Sequence, residues 1–474
     1  MRRIKLHLPR KRFQSPAKAF GAAAAVNSRI RFRHWFASRR ISYIVRRLLI
    51  LLTRYGITPS LAEKRVFDGV QALAKYSCRP TFAVPGRIVA RNPDFCRELQ
   101  RQGAELSIHG HDHVDFRSLE PGEARAQFMA AAAAFRRSGI EFEGFRCPYL
   151  SYTDELQPTL PPGEFAYSSN KAIWWDVVPP GADQYATAVF RSLRRFYCPT
   201  PSSEALAIPK INGQLLEIPA SLPDDIQIAD GLRLGRAGMK ELWTDILYRT
   251  HSRGEIFVLI SHPETFDQTT PALEDLLRTA QRLKPSVWVA QLRDVSRWWW
   301  EKSEFTTELS ITGPRTRIQF TCSHRATILV RGVITRNRTR RWDGQYEIVE
   351  GREVEVAPGP LPLVGVADDV PSAALTFLAD QGYIVEAGEN AQRCGIFLRQ
   401  PDFAVSEVAL VEKIESSGAP LLRFWRWPDA NRSVLCITGD LDAVSLFDYV
   451  SRLLPSSPLL PRFTMRAPAD SRDS

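Results

Sequence analysis

The feature that most constrains this chain is a repeated grammar: a short apolar run stops, and a reactive side chain follows at once. ELSI ends in His109, FEGF in Arg146, LLEIPASLP in Asp224 and Asp225, and IFVLIS in His262. Between these runs lie helix-period stretches, such as Val66, Phe67, Val70 and Leu73 within 61–76, and the Ala-rich segment 121–138 ahead of Gly139. Alternating strand and helix, with no long run of either, is the βα pattern of a parallel sheet or barrel. In βα barrels the carboxyl ends of the strands gather at one face, and that face holds the site. Four strands delivering polar groups there outweigh any single motif. Taken singly, Arg146 also suits a surface salt bridge, His262 a satisfied core histidine and Asp224 a turn.

The densest of these stretches is AELSIHGHDHVDF, with His109, His111 and His113 among only eight histidines in the chain. Imidazole is the commonest protein metal ligand near neutral pH, and two histidines with a third ligand suit Zn²⁺. If the strand passes into a helical turn, His109 and His113 share a face and His111 points elsewhere. A metal held by two neutral imidazoles lacks an anion, and hydrolysis also needs a base for water. The run SVLCIT near the end of the chain leads through Gly439 to Asp440 and Asp442. Carboxylates at i and i+2 point the same way from an extended strand end. Helix capping by Asp442 is the plainer alternative.

The formal net charge of +11 raises nucleic acid as a partner until it is located. Residues 1–54 carry 15 Lys and Arg, and no acid precedes Glu63, so the remainder sums to −4. A nucleic-acid-binding enzyme carries its charge on the fold, and no nucleic-acid partner is expected. The tail, 1–42, is expected to be disordered. Its composition suits a transit peptide, an arm that touches anionic surfaces, or an upstream extension of the reading frame. A basic amphipathic helix is expected over 43–55. No stretch approaches the length of apolar residues that a membrane span needs. Seven cysteines without CxxC spacing suggest reduced thiols and a cytoplasmic setting.

After Trp300 the texture changes. Residues 306–362 alternate β-branched and charged residues around Gly and Pro turns, which predicts a small antiparallel β module. Residues 363–430 read as a small α/β domain; VGVADD lacks the glycine-rich turn of a nucleotide site and is assigned to scaffold. The barrel is expected over 43–305, with its missing strand and helix supplied by 431–474.

IHGHDH, FRCPY, LISHPE and PTFAVPGR together resemble motifs of the polysaccharide deacetylases, carbohydrate esterase family four with the NodB-type fold. The resemblance runs over roughly 80–300. That family opens with a strand ending in paired aspartates. Here the upstream segment is helical, Asp68 is a poor substitute, and ITGDLDA resembles the opening motif displaced to the far end. The resemblance therefore implies an α/β fold: a distorted (β/α) barrel of the polysaccharide deacetylase type, circularly permuted, with the β module and α/β domain inserted. It implies a divalent metal, Zn²⁺ first, on His109, His113 and Asp442. It also implies Asp440 as base, His262 as acid, Arg146 as the group orienting Asp440, and Tyr149 as backbone donor to the oxyanion. Trp175 (with Trp174), Asp224 and Asp225 are expected to meet a carbohydrate substrate, and Asp176 to be an acidic partner of Arg146. The first histidine is followed by Gly110 where the family has Ser or Thr.

The implied function is removal of N-acetyl groups from an aminosugar polysaccharide or its intermediate. Two other readings stand beside it: a same-fold hydrolase of a small cyclic amide or ureide, and a catalytically inactive carbohydrate-binding module.

Overall fold

The computed structural model describes residues 51–178, 184–312, 315–388 and 391–452. The basic tail expected over 1–42, and most of the helix expected over 43–55, lie outside them; residues 51–55 are helical.

Ten strands build the part of the fold that carries the candidate site. They are β1 (Thr81–Val84), β2 (Glu105–Ile108), β3 (Gly144–Phe145), β4 (Tyr167–Ser168), β5 (Ala172–Trp174), β6 (Leu215–Glu217), β7 (Ala220–Leu222), β8 (Ile256–Ile260), β9 (Val287–Val289) and β10 (Ser433–Asp440). The main sheet runs β8–β10–β1–β2–β3–β4–β6 in parallel, with Lys210–Asn212 adding one antiparallel edge strand. β9 pairs with the first half of β10, and β1 with its second half. β5 and β7 pair in parallel, and β7 packs against β8 across the gap that the main sheet leaves open. The result is a mixed α/β fold with a curled, half-barrel sheet, the fold class that the strand–helix alternation predicts.

The central strands are mostly apolar because they are covered on both faces. β1, β2 and β8 are buried at every position, as parallel strands between helical layers should be. The helix Phe266–Arg282 shows the complementary pattern: it buries Phe266, Thr269, Leu273, Leu276, Leu277 and Ala280, one stripe at helical spacing. The Ala-rich helix Pro121–Arg137 starts with proline and a reciprocal capping box between Glu120 and Glu123, and its small side chains let it pack on the helix Gly86–Arg91.

The sequence-distant partner in this sheet is β10. It lies between β8 and β1, Ile260 opposite Thr438 and Ala83 opposite Asp440. Gly439 makes this approach feasible: a Cβ there would sit 2.2 Å from the Ser261 carbonyl oxygen and 3.0 Å from the Pro263 ring. The following helix, Leu446–Ser451, is tied down by Arg91, whose guanidinium donates to Asp448 at 2.9 Å and to Ser451 at 3.0 Å.

Residues 306–424 form two antiparallel sheets and one parallel three-stranded sheet. Leu421–Phe424 pairs antiparallel with Ile328–Arg331, so the chain returns to the first of these regions before it enters β10. Tryptophans join this part to the barrel. Trp298 donates to the Arg426 carbonyl at 2.8 Å, Trp427 to the Gly254 carbonyl at 2.9 Å, and Trp299 packs on Trp427. Among the described residues, no helix is long and apolar enough to cross a membrane.

Candidate metal centre and acid–base groups

The carboxyl ends of β2, β3, β8 and β10 converge. β2 ends at Ile108, and His109 continues its ladder by donating its N–H to the Val84 carbonyl. The next residues form no helical turn. Gly110 takes a left-handed φ of 69°, and the loop that follows returns His113 beside His109, their ring centroids 5.2 Å apart. The expected outcome, His109 with His113 and His111 elsewhere, is thus reached by a glycine-turned loop rather than a helix face. His111 lies on the other side, its ring beside Gly86 and its N–H bound to Gln127. A side chain at position 110 would be strained by φ and would crowd the Asp112 carbonyl and the Phe116 ring, each about 3.1 Å away.

Asp442 arrives from β10. Its Oδ1 lies 3.4 Å from His109 Nε2 and 3.2 Å from His113 Nε2. The ligand atoms of these three residues all lie within 4.8 Å of one another. The tautomer of His109 follows from its other nitrogen: Nδ1 is 2.8 Å from the Arg146 carbonyl, which only accepts, so Nδ1 carries the proton and Nε2 a lone pair. His109 Nε2 and Asp442 Oδ1 are therefore two buried acceptors facing one another, and His109 Nε2 has no hydrogen-bond partner. Two buried acceptors aimed at one another with no donor between them are the arrangement a cation satisfies. Burial alone would raise the Asp442 carboxyl, but His113 and Arg452 outweigh it and hold the group well below the usual carboxylate range. Burial pushes His113 down to about 4, so it is a neutral imidazole near pH 7. Neutral nitrogen and ionised oxygen are the donor set Zn²⁺ and similar divalent ions take.

Asp440, two residues before Asp442, meets Arg146 instead. Arg146 is 2 % exposed, and every arm of its guanidinium is used: Nη1 donates to Asp440 Oδ1 at 2.9 Å and to Thr438 Oγ1 at 3.0 Å, while Nε and Nη2 donate to the carbonyl and hydroxyl of Ser169. Asp176, expected near Arg146, is exposed and is not among these partners. Thr438 and Ser169 fill the role of Arg146 partners; neither stood out in the sequence, since buried hydroxyls carry no pattern.

His262 lies at the end of β8, and Asp225 holds it. Asp225 Oδ1 is 2.7 Å from His262 Nδ1, and Oδ2 accepts the His262 N–H at 2.8 Å, with the Thr265 hydroxyl at 3.2 Å. Burial would lower the imidazole, but the Asp225 charge and hydrogen bond prevail and raise it to about 10. Below it, the buried Glu264 accepts from Arg54 and Tyr55, a support that the sequence reading missed.

Two expectations for substrate contacts are corrected. Trp175 is fully buried in the barrel core, so neither ring face is open to a sugar. Trp174 is buried too, against Phe190. Asp225 spends both oxygens on His262 and its neighbours, which leaves neither turned to a substrate. Asp224 accepts the Gln227 N–H at 2.6 Å as a turn residue; burial chiefly, then the charges of Asp225 and Asp440, raise it to about 7 against the pull of His262. Tyr149 adopts φ 61°, and its ring stands edge-on to His113 at 4.7 Å and faces Phe196 at 6.2 Å. Tyr149 and Phe196 are both partly exposed, so the aromatic surface beside the histidines comes from these residues.

Comparison with known proteins finds similarity over part of the chain. The family model "Polysaccharide deacetylase" matches residues 59–160. A chitooligosaccharide deacetylase of Bradyrhizobium sp. (strain ANU 289) is 27 % identical over 134 residues, which cover 27 % of this chain and 59 % of that protein. Among solved structures, a putative polysaccharide deacetylase from Mycobacterium smegmatis is 20 % identical with a TM-score of 0.38, covering 50 % of this chain and 77 % of that one. A probable polysaccharide deacetylase from Pseudomonas aeruginosa PAO1 is 16 % identical with a TM-score of 0.39, covering 50 % and 72 %. The family match spans His109, His113, Arg146 and Tyr149 and stops before Asp225, His262, Asp440 and Asp442.

Proposed function

We propose that this chain, whose residues 59–160 match the polysaccharide deacetylase family model, is a metal-dependent hydrolase that removes N-acetyl groups from an aminosugar polysaccharide or its intermediate. The observation that carries the reading is the pair of buried acceptors facing one another with no donor between them, His109 Nε2 and Asp442 Oδ1, 3.4 Å apart beside His113. His109, His113 and Asp442 would hold the ion. A divalent cation there would polarise the amide carbonyl and lower the pKa of the attacking water.

The chain's own residues supply the proton transfers. Asp440, fixed by Arg146, takes the proton from water. Arg146 keeps the carboxylate aligned, since its remaining donors are anchored in Thr438 and Ser169. The Tyr149 backbone N–H donates to the oxyanion that forms on the amide carbon. His262, kept protonated by Asp225, gives its proton to the nitrogen as the C–N bond breaks. A weak acid suits a leaving amine of comparable basicity. Acetate and a free amine result.

We also read the strand order as a circular permutation, with β10 and its aspartates taking the position that the opening strand has in this family. Its parallel pairing with β1 and β8 supports this. On that reading, the described residues of 43–305 and 431–474 belong to one barrel, and 306–362 and 363–430 are insertions.

The test is acetate release from N-acetylated chitooligosaccharides by purified protein after loading with Zn²⁺, with metal measured in parallel. Acetate release that is abolished by chelation is expected. Turnover of a cyclic ureide without acetate release would move the reaction to small cyclic amides. Less than about a tenth of an equivalent of bound metal would favour an inactive carbohydrate-binding module, because a formed three-ligand site should load.

A further inference from the structure

Arg452 stands at the candidate metal centre, although no sequence pattern pointed to it. It follows the helix Leu446–Ser451, so the same short return of chain delivers both Asp442 and this guanidinium. Its Nη1 is 3.2 Å from Asp442 Oδ2, and its Nη2 is 2.7 Å from His113 Nδ1. The guanidinium also packs over the Tyr449 ring, 5.3 Å from the centroid.

A guanidinium can only donate. His113 Nδ1 must therefore offer its lone pair to Arg452, which leaves the proton of the neutral ring on Nε2, 3.2 Å from Asp442 Oδ1. That is the opposite tautomer to His109, whose Nδ1 donates to the Arg146 carbonyl and whose Nε2 is free to ligate. The two histidines of one centre are thus set differently, one ready for a cation and one blocked. If His113 ligates through Nε2, its proton moves to Nδ1 and meets an N–H of Arg452 head-on. If it ligates through Nδ1, Arg452 already holds that atom. Either way the contact between Nη2 and Nδ1 has to break. The contact with Asp442 need not, since Arg452 uses Oδ2 and both histidines face Oδ1.

We infer that Arg452 is an intramolecular competitor of the cation. It latches His113 in the non-ligating tautomer and swings off that ring when the ion enters, keeping its hold on Asp442 Oδ2. The inference rests on the metal centre of the proposed function. Its consequence is an affinity set below what the three ligands alone would reach, so the centre loads only where the ion is abundant enough to displace the arginine.

The test is metal affinity, not activity. The full chain and its R452Q and R452K variants are titrated with Zn²⁺ against a chromophoric chelator at pH 7.5, and thermal melts are recorded with and without Zn²⁺. Losing a charge-assisted hydrogen bond and a nearby positive charge should tighten Zn²⁺ binding in R452Q by about ten- to a hundredfold. R452K, too short to hold both partners, should tighten it by about threefold or more on the same grounds. The apo variants should melt lower than the parent, and the rise in Tm on adding Zn²⁺ should be larger. Equal or weaker Zn²⁺ binding in a folded R452Q, or an unchanged affinity in R452K should R452Q not fold, would overturn the latch and leave the metal centre standing. Folded parent and variant that both fail to bind Zn²⁺ would instead remove the metal centre, and the latch with it.

Discussion

Asp225→Asn removes the charge of one side chain while keeping its size. Asparagine retains one oxygen that can accept from His262 Nδ1, gives up the oxygen that accepts the His262 N–H, and takes away the charge 2.7 Å from the ring. In the parent that charge and hydrogen bond hold His262 at about 10 against burial. Without it, burial returns the imidazole to its ordinary value of about 6.5 or below. The protonated fraction at pH 8.5 then drops from about 0.97 to about 0.01, whereas at pH 6 it drops only from about 1 to about 0.8. If His262 is the acid, kcat/KM should fall about a hundredfold at pH 8.5 and less than about twofold at pH 6. The assay is acetate release across pH 5–10.5, where the alkaline limb should move from about pH 10 to about pH 6.5 or below and the acid limb should stay. A uniform loss at every pH, or an alkaline limb that does not move, would refute the assignment of Asp225 as the group that keeps His262 protonated. Stability gives an independent check. A group whose pKa is raised on folding stabilises fully below its unfolded value and loses that contribution as pH rises through its folded value. The Tm of the parent should therefore fall between about pH 6.5 and about pH 10 more steeply than that of the variant.

The remaining expectations concern separate links of the argument. Asp440→Asn should retain metal and lose about 10²–10⁴-fold in turnover, the usual weight of a general base, whereas Asp442→Ala should lose the metal itself. Equal metal loss in both, read by elemental analysis, would mean that the two roles are misassigned. Gly439→Ala should destabilise by about 1–3 kcal/mol, because the added carbon overlaps the Ser261 carbonyl and prises β10 from β8; urea titration measures it, and an unchanged midpoint would show that the strands are not so close. Trp175→Leu should cost about 3 kcal/mol of stability with KM unchanged in the folded enzyme, since its ring is wholly in the core. A large rise in KM without loss of stability would restore it to the substrate.

How much of this was legible beforehand differs residue by residue. The strands were readable because burial on both faces demands continuous apolar runs, and each run marked where its reactive side chain would emerge. His109, Arg146, His262, Asp440 and Asp442 were therefore found as ends of strands. Trp175 and Asp225 were misjudged for one reason: an aromatic or an acid near a barrel rim looks the same in sequence whether it turns inward or outward. Thr438, Ser169, Glu264 and Arg452 were invisible, since ordinary hydroxyls and charges acquire meaning only from their neighbours.

By itself the sequence determined a parallel α/β core, the identity of the candidate ligands and the strand each would follow, because periodicity and side-chain chemistry are local properties of the chain. Only the tertiary structure decided that β10 lies between β8 and β1, which brings Asp442 within 3.4 Å of a histidine more than three hundred positions earlier. It alone also decided that the two histidines carry their protons on different nitrogens. Tautomer and charge are set by what each atom faces through space, by a carbonyl in one case and a guanidinium in the other, and separation along the chain carries no record of that.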